Sequence, residues 1–101
     1  MKIRYTPAAV SDLRELRAYL TEEFDADVAS NTLSKIVENI SVLKDFPGLV
    51  MDLSDKIHRR TKYKYCLCGK LSIAVLSCDS EFISVLRILD TRSDYASVIF
   101  E

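Results

Sequence analysis

The chain has 101 residues, of which 49% are apolar and 29% are charged, and its formal net charge is −1. This length and composition predict one small globular domain over residues 1–101, and they exclude a disordered or fibrous chain. A net charge so close to zero also excludes nucleic-acid binding by bulk charge, so any such binding would need a local basic patch.

The sequence carries no signal for export or membrane insertion. No apolar stretch approaches the ~20 residues that span a bilayer, and the N-terminal residues MKIRYTPAAV lack the long apolar segment of a secretion signal. Of the three cysteines, Cys66 and Cys68 lie too close for an ordinary disulfide along one strand. We therefore expect free thiols, a reducing compartment and a cytoplasmic protein with no membrane partner.

No residue pattern indicates a metal ion or an organic cofactor, and we expect neither. Cys66, Cys68 and Cys78 would need a fourth ligand to hold zinc, and no Cys/His spacing supplies one. Buried or half-buried free thiols are the expected state of these cysteines. The single histidine, His58, lies in a basic segment and is expected to be a surface residue.

The first half of the chain predicts a strand followed by a helix. Residues 3–5 form a short strand candidate. Thr6-Pro7 then starts a helix, because Thr can cap it and Pro suits its first turn. The helix is predicted over residues 7–24, since apolar residues recur at steps of three and four: Val10, Leu13, Leu16, Leu20 and Phe24.

A second helix follows at once, with Asp25 or Asp27 as its cap. The same period continues in Ala29, Leu33, Ile36, Val37, Ile40 and Leu43. The helix ends at Phe46-Pro47-Gly48, since Pro disfavours helical backbone at the residue before it. Two helices separated by so few residues are predicted to pack as antiparallel neighbours.

The period changes after a loop predicted around residues 48–55. Alternating residues over 62–68 predict a strand, Gly69 turns the chain, and LSIAVLS at 71–77 predicts a central strand with two apolar faces. FISVLRIL at 82–89 is the third strand of the meander. The expected fold is α+β in the order β-α-α-β-β-β, with the helical hairpin covering one face of a small, mainly antiparallel sheet.

Charge is segregated along the chain although it balances overall. The acids of the first half include Asp12, Glu15, Glu22, Glu23, Asp25 and Asp27. A basic patch follows over residues 56–64, with no acid in it: Lys56, Arg59, Arg60, Lys62 and Lys64. These cations could contact a target, and Lys62 and Lys64 could instead form the solvated face of an edge-like strand.

Four segments together resemble the RelE/ParE family of bacterial toxins from type II toxin–antitoxin pairs, over nearly the whole chain. YTPAAVSDLRELRAYL is similar to the family's first strand and helix, and ENISVLKDFPG resembles the Leu-x-x-Phe-Pro end of its second helix. YKYCLCGKLSIAVLSCDSEFISVLRIL is similar to its paired strands. The most specific segment is RILDTRSDY, which resembles the family's terminal motif of Arg, a branched apolar pair, Arg and Asp-Tyr.

This resemblance implies a growth-arresting toxin with a cognate antitoxin as its partner. The RNA-cleaving members of the family act on mRNA at the ribosome, and the ParE branch poisons DNA gyrase. For a nuclease, the resemblance assigns catalytic or phosphate-binding roles to Arg92, Tyr95, Lys62 and Lys64. For target binding it assigns a second set of residues: Lys56, Arg59, Arg60 and Arg87.

Departures from the RNA-cleaving pattern favour the gyrase branch. Those members commonly have an Arg just after the turn Gly and an aromatic residue a few positions later, whereas this chain has Lys70 and Ala74. They are also strongly basic, which helps docking on ribosomal RNA, and this chain is nearly neutral. Gyrase inhibition is therefore the expected mechanism, with mRNA cleavage or an inactive antitoxin-binding relative as alternatives.

Two of the assigned residues also have a plain structural explanation. Arg87 interrupts an apolar strand, and a buried Arg needs a partner, which Asp90, Asp94 or an acid on the helical hairpin could supply. Tyr95 could simply be a packing residue. The sequence leaves these alternatives open.

Overall fold

The computed structural model describes residues 1–57 and 60–92. The elements, in chain order, are β1 (Lys2–Tyr5), α1 (Pro7–Glu23), α2 (Ala26–Ser41), β2 (Met51–Asp52), α3 (Leu53–Ile57), β3 (Lys64–Gly69), β4 (Ser72–Cys78) and β5 (Phe82–Asp90). Two 3₁₀ turns, Val42–Lys44 and Pro47–Leu49, join α2 to β2. The strands form one sheet in the order β1-β5-β4-β3-β2. The predicted α+β fold is confirmed.

Side-chain caps start both long helices. Thr6 Oγ1 accepts a hydrogen bond from the backbone N–H of Ala9 (3.2 Å), with Pro7 at the first helical position of α1. Asp25, rather than Asp27, caps α2, since its Oδ1 accepts from Val28 N at 2.8 Å. In the described part of the chain, no helix has the length and hydropathy that a membrane crossing requires.

The sheet combines the predicted antiparallel meander with one parallel strand. β3, β4 and β5 pair antiparallel in sequence order. β1 lies on the far side of β5 and runs parallel to it, with Lys2 opposite Phe82 and Tyr5 opposite Val85. The sequence of β1 did not reveal this pairing, because four residues of alternating character fit any free sheet edge in either direction.

The main core lies between the helical hairpin and one sheet face. Its buried members are Ala9, Ile36, Ile40, Leu43, Cys66, Cys68, Ala74, Leu76, Ile83, Val85 and Ile88. The intervening β4 residues Ile73 and Val75 are buried as well, on the opposite face, and so is Leu53 of α3. β4 is therefore a central strand with two apolar faces, as its sequence predicted.

The prediction of a loop around residues 48–55 was wrong, because this segment contains β2 and the start of α3. Asp52 pairs with Lys64 across the β2–β3 ladder, and its Oδ1 accepts the N–H of Ser54 at 2.9 Å. Leu53 donates its N–H to Tyr63 O (3.1 Å) and is fully buried. Elements this short have no periodicity in the sequence, so only long-range contacts define them.

We expect Leu76→Ala to destabilise the domain by about 2–5 kcal/mol, because Leu76 is 0% exposed and its truncation leaves a cavity under the helices. Leu67→Ala is the matched control: Leu67 lies on the neighbouring strand but is 56% exposed, so its loss should cost less than about 0.5 kcal/mol. Urea denaturation followed by circular dichroism measures both. Equal losses would contradict the placement of the core.

Candidate functional site

A groove of about 540 Å³ opens between α1 and the last strand, and we call it the α1–β5 groove. α1 forms one wall, and the β3–β4 turn and the end of β5 form the other. Its lining consists of Asp12, Glu15, Leu16, Tyr19, Leu20, Thr32, Gly69, Lys70, Leu71, Ser72, Arg87, Ile88, Leu89, Asp90 and Arg92. The lining combines apolar side chains with charges of both signs.

The groove exists because the second half of α1 is only loosely covered. Ala9, in the first turns, is the one fully buried residue of this helix. Further along, Leu16 and Leu20 are only half-buried and Tyr19 is 57% exposed. Leu71 of the facing turn is 45% exposed. Apolar side chains that the fold leaves uncovered therefore face one another across the groove.

Asp12 and Arg87 form a bidentate ion pair at one end of the groove. Arg87 Nε lies 2.7 Å from Asp12 Oδ2 and Arg87 Nη2 lies 2.9 Å from Oδ1. Hydrogen bonding to Asp12 raises the pKa of the Arg87 guanidinium. The expected alternative that Arg87 pairs with an acid on the helical hairpin is confirmed, and its guanidinium fork faces α1.

The same Asp12 carboxylate also covers a free sheet edge. β1 pairs with β5 only as far as Val85, so beyond that residue no strand of the described chain neighbours β5 on this side. Ile88 N donates to Asp12 Oδ2 at 2.9 Å in this unpaired stretch. Asp12 thus takes the place of a missing strand partner, and its side chain is only 11% exposed.

Arg92 and Asp90 form a second, exposed pair at the rim of the groove. Arg92 Nη2 lies 2.7 Å from Asp90 Oδ2, and Arg92 Nε lies 3.0 Å from Oδ1. Hydrogen bonds from the Arg92 side chain and backbone lower the pKa of Asp90 to about 2. The cation assigned to a target phosphate is therefore already held by a carboxylate two residues away.

The basic patch lies elsewhere. Lys64 opens β3, and its Nζ is 3.8 Å from Asp52 Oδ2. Lys56 Nζ lies 5.6 Å from the ring centroid of Tyr65. Arg60 and Lys62 are exposed in the stretch before β3. None of these four cations lines the α1–β5 groove.

Arg59 and Tyr95 lie outside the described residues, as do His58 and Asp94. Of the assigned residues that are described, only Arg87 and Arg92 line the groove.

Strand register separates Lys64 from Arg92. Lys64 is level with Leu76 of β4, whereas Asp90, two residues before Arg92, is level with Ser72. Four residues along β4 correspond to roughly 13 Å, before the distance across the strands is added. The two candidate cations lie towards opposite ends of the sheet.

The cysteines are free thiols, as expected. Cys66 and Cys68 are buried, and burial raises their pKa values to about 11 and about 12. Cys78 is exposed, so the expectation of a buried or half-buried thiol was wrong for this residue. Among the residues that the structure describes, no group of three or more His, Cys, Asp and Glu side chains could hold a metal ion.

A scan against protein-family models matches residues 3–95 to the ParE toxin of the type II toxin–antitoxin system parDE. The chain belongs to the ParE toxin family. A search of the curated proteins found no match. Among solved structures, a chain of the chromosomal ParDE TA system from P. aeruginosa is 17% identical, with a TM-score of 0.78 over 91% of this chain and 97% of that chain. At this identity, the structural likeness supports the shared fold alone.

Sequence reasoning missed most of the groove of this ParE family member. Leu16 and Leu20 were identified only as members of the apolar period of the first helix, and Tyr19 was not singled out. Asp12 was noted only as one of several acids. A signal was present, because Asp12 precedes Leu16 by one helical turn and so lies on the apolar stripe that faces the sheet. A carboxylate at such a position needs a partner.

We expect Asp12→Asn to destabilise this ParE domain by about 1–3 kcal/mol, because it turns one acceptor of the Arg87 fork into a donor. Asp90→Asn is the matched control, since it changes an exposed pair worth about 0–1 kcal/mol. Urea denaturation at neutral pH measures both variants. The assigned role of Asp12 is wrong if the two substitutions cost the same.

Proposed function

We propose that this ParE family member is the toxin subunit of a type II toxin–antitoxin pair. It arrests bacterial growth by inhibiting DNA gyrase, and a cognate antitoxin protein neutralises it by binding. The observation that carries the proposal is the match of residues 3–95 to the ParE toxin model. Within the family that the sequence resembles, ParE is the branch that acts on gyrase rather than on mRNA.

The arrangement of the cations supports binding rather than RNA cleavage. Cleavage by 2′-hydroxyl attack needs a base, an acid and cations that converge on one phosphate. Lys64 is paired with Asp52, and Arg92 is paired with Asp90. Strand register separates Lys64 from the end of β5 that leads to Arg92 by roughly 13 Å along the sheet. A gyrase inhibitor has no need of such convergence.

The α1–β5 groove is the surface best suited to the antitoxin. The uncovered apolar side chains there, Leu16, Tyr19 and Leu71, match what an amphipathic segment buries when it folds onto a partner. Lys70 is exposed at the groove and can receive a carboxylate of an acidic segment. A groove that is covered only in the complex also explains why so much apolar surface is left open.

The proposed gyrase target is tested by inducing expression of the chain in a bacterium that lacks its antitoxin. DNA synthesis and protein synthesis are then followed together by pulse labelling. We expect DNA synthesis to fall first while translation continues, because gyrase inhibition blocks replication directly. An early fall in protein synthesis would overturn the gyrase proposal in favour of mRNA cleavage. Arg92→Ala and Tyr95→Phe would then be the variants that test catalysis.

The antitoxin surface is tested by Leu71→Glu, which places a negative charge on an exposed wall of the groove. We expect this variant to arrest growth but to escape rescue by the co-expressed cognate antitoxin, because the charge opposes both apolar burial and an acidic segment. Leu67→Glu is the matched control, since Leu67 is 56% exposed and lies outside the groove. Normal rescue of the Leu71 variant would exclude this surface.

A further inference from the structure

The α1–β5 groove has two charged ends of opposite sign, and the first of them is negative. Asp12 and Arg87 form their bidentate ion pair there, and Glu15 follows Asp12 by one helical turn. The pKa of Arg87 is raised mainly by its hydrogen bond to Asp12, and the charge of Glu15 raises it further. Glu15 therefore lies near this pair. Among the described residues that line this end, two acids face one base.

The other end of the groove is positive. Lys70 lies in the β3–β4 turn, between Gly69 and the start of β4. Gly69 is level with Ser72 of β4, and Ser72 is in turn level with Asp90 of β5. Asp90 is paired with Arg92. Among the described residues that line this end, two bases, Lys70 and Arg92, therefore accompany one acid.

The two ends are separated by the stretch of β5 between Arg87 and Asp90. Three residues of a strand span roughly 10 Å. α1 runs alongside in the same direction, because Asp12 holds Arg87 and the later residue Tyr19 lies near Arg92. The pKa of Arg92 is raised mainly by its hydrogen bond to Asp90, and Tyr19 raises it further. A segment that lies along the groove therefore passes from a negative end to a positive end.

Glu15 and Lys70 are the two charges of the groove that the fold leaves unmatched. Both side chains are exposed. Within the described part of the chain, the ion pairs join Lys64, Arg87 and Arg92 to three aspartates, so neither Glu15 nor Lys70 takes part in one. Water solvates both charges while the groove is open. A protein that covers the groove removes this water, and each charge then requires an opposite charge on the partner.

Side chains of α1 already occupy part of the β5 edge beside the groove. Leu86 O accepts a hydrogen bond from Thr6 Oγ1 at 2.9 Å, and Ile88 N donates to Asp12 Oδ2 at 2.9 Å. A strand added to this edge would have to displace both contacts. A partner in the groove therefore binds through its side chains, and an amphipathic helix supplies the apolar stripe that the open leucine and tyrosine side chains accept.

We propose that Glu15 and Lys70 determine which antitoxin this toxin accepts, by pairing with a base and an acid on one face of an amphipathic antitoxin helix. This inference rests on the proposed function, since it concerns the partner of the same groove. A separation of roughly 10 Å is about two helical turns, so the base and the acid stand about seven residues apart in the antitoxin. An antitoxin with these two charges exchanged would place like charges together at both ends and is rejected.

The test measures the dissociation constant between the purified full chain and its antitoxin, identified as the protein whose co-expression relieves growth arrest. We expect Glu15→Lys and Lys70→Glu each to weaken binding about tenfold, because each sets like charges against each other in the covered groove. Glu22→Lys and Lys35→Glu are the matched controls, since they change the net charge equally at exposed positions outside the groove. Both controls should bind within about twofold of the unaltered chain, because solvent and salt screen their charges.

The pairing of charges is tested by selecting a displayed library of antitoxin variants on the two immobilised groove variants. Recovery of binding to Lys70→Glu should require an acid-to-base change in the antitoxin. Recovery of binding to Glu15→Lys should require a base-to-acid change about seven residues away on the same helix face. Each compensating change should restore only its own groove variant, because the two pairs are separate contacts.

Two results would overturn this inference and leave the proposed function intact. One is equal affinity of the groove variants and the control variants for an antitoxin that binds the unaltered chain, and the other is compensating changes that alter no charge. An antitoxin that relieves growth arrest without binding the unaltered chain would overturn the proposed function as well. If circular dichroism shows that a charge reversal unfolds the chain, Glu15→Gln and Lys70→Gln replace it, with an expected loss of about threefold each. Glu22→Gln and Lys35→Gln are then the controls.

Discussion

The Asp12 carboxylate is the contact on which the arrangement of helices and sheet depends most. Asp12 joins α1 to β5 through two hydrogen bonds from Arg87 and one from the N–H of Ile88, at the stretch where β5 has no strand neighbour on that side among the described residues. Towards the other edge of the sheet, Asn39 of α2 donates a hydrogen bond to Cys68 O at 2.9 Å, where β3 extends beyond β2. Each helix therefore satisfies a sheet edge with one polar side chain, which fixes the hairpin over the core.

Anchoring α1 near its start has a consequence for its far end. Thr6 caps α1 and donates to Leu86 O at 2.9 Å, and Asp12 adds its contacts less than two turns later. Beyond Asp12, no comparable polar contact draws Leu16 and Tyr19 onto the sheet within the described part of the chain. The α1–β5 groove is the space that results. The contacts that secure the fold and the opening proposed for the antitoxin are thus parts of one arrangement.

The two sides of the sheet have different chemical character. The helical side combines a dry core with a groove in which two cations, Arg87 and Arg92, are matched by carboxylates. The opposite side combines the buried residues Ile73 and Val75 with Arg4 and Lys2, which stack on an aromatic ring. A near-neutral net charge conceals this difference, because it sums over both sides.

Much of the fold was determined by the sequence alone. The periods of α1 and α2, the Thr6 cap and the doubly apolar β4 are local or periodic properties, and all were predictable from the residues, whereas the cap of α2 was narrowed only to Asp25 or Asp27. The sequence also carried the family resemblance. Only the tertiary structure decided the parallel pairing of β1, the choice of Asp12 for Arg87, and the separation of Lys64 from Arg92. These features depend on which distant segments meet, and a side chain's sequence position does not encode its partner across the sheet.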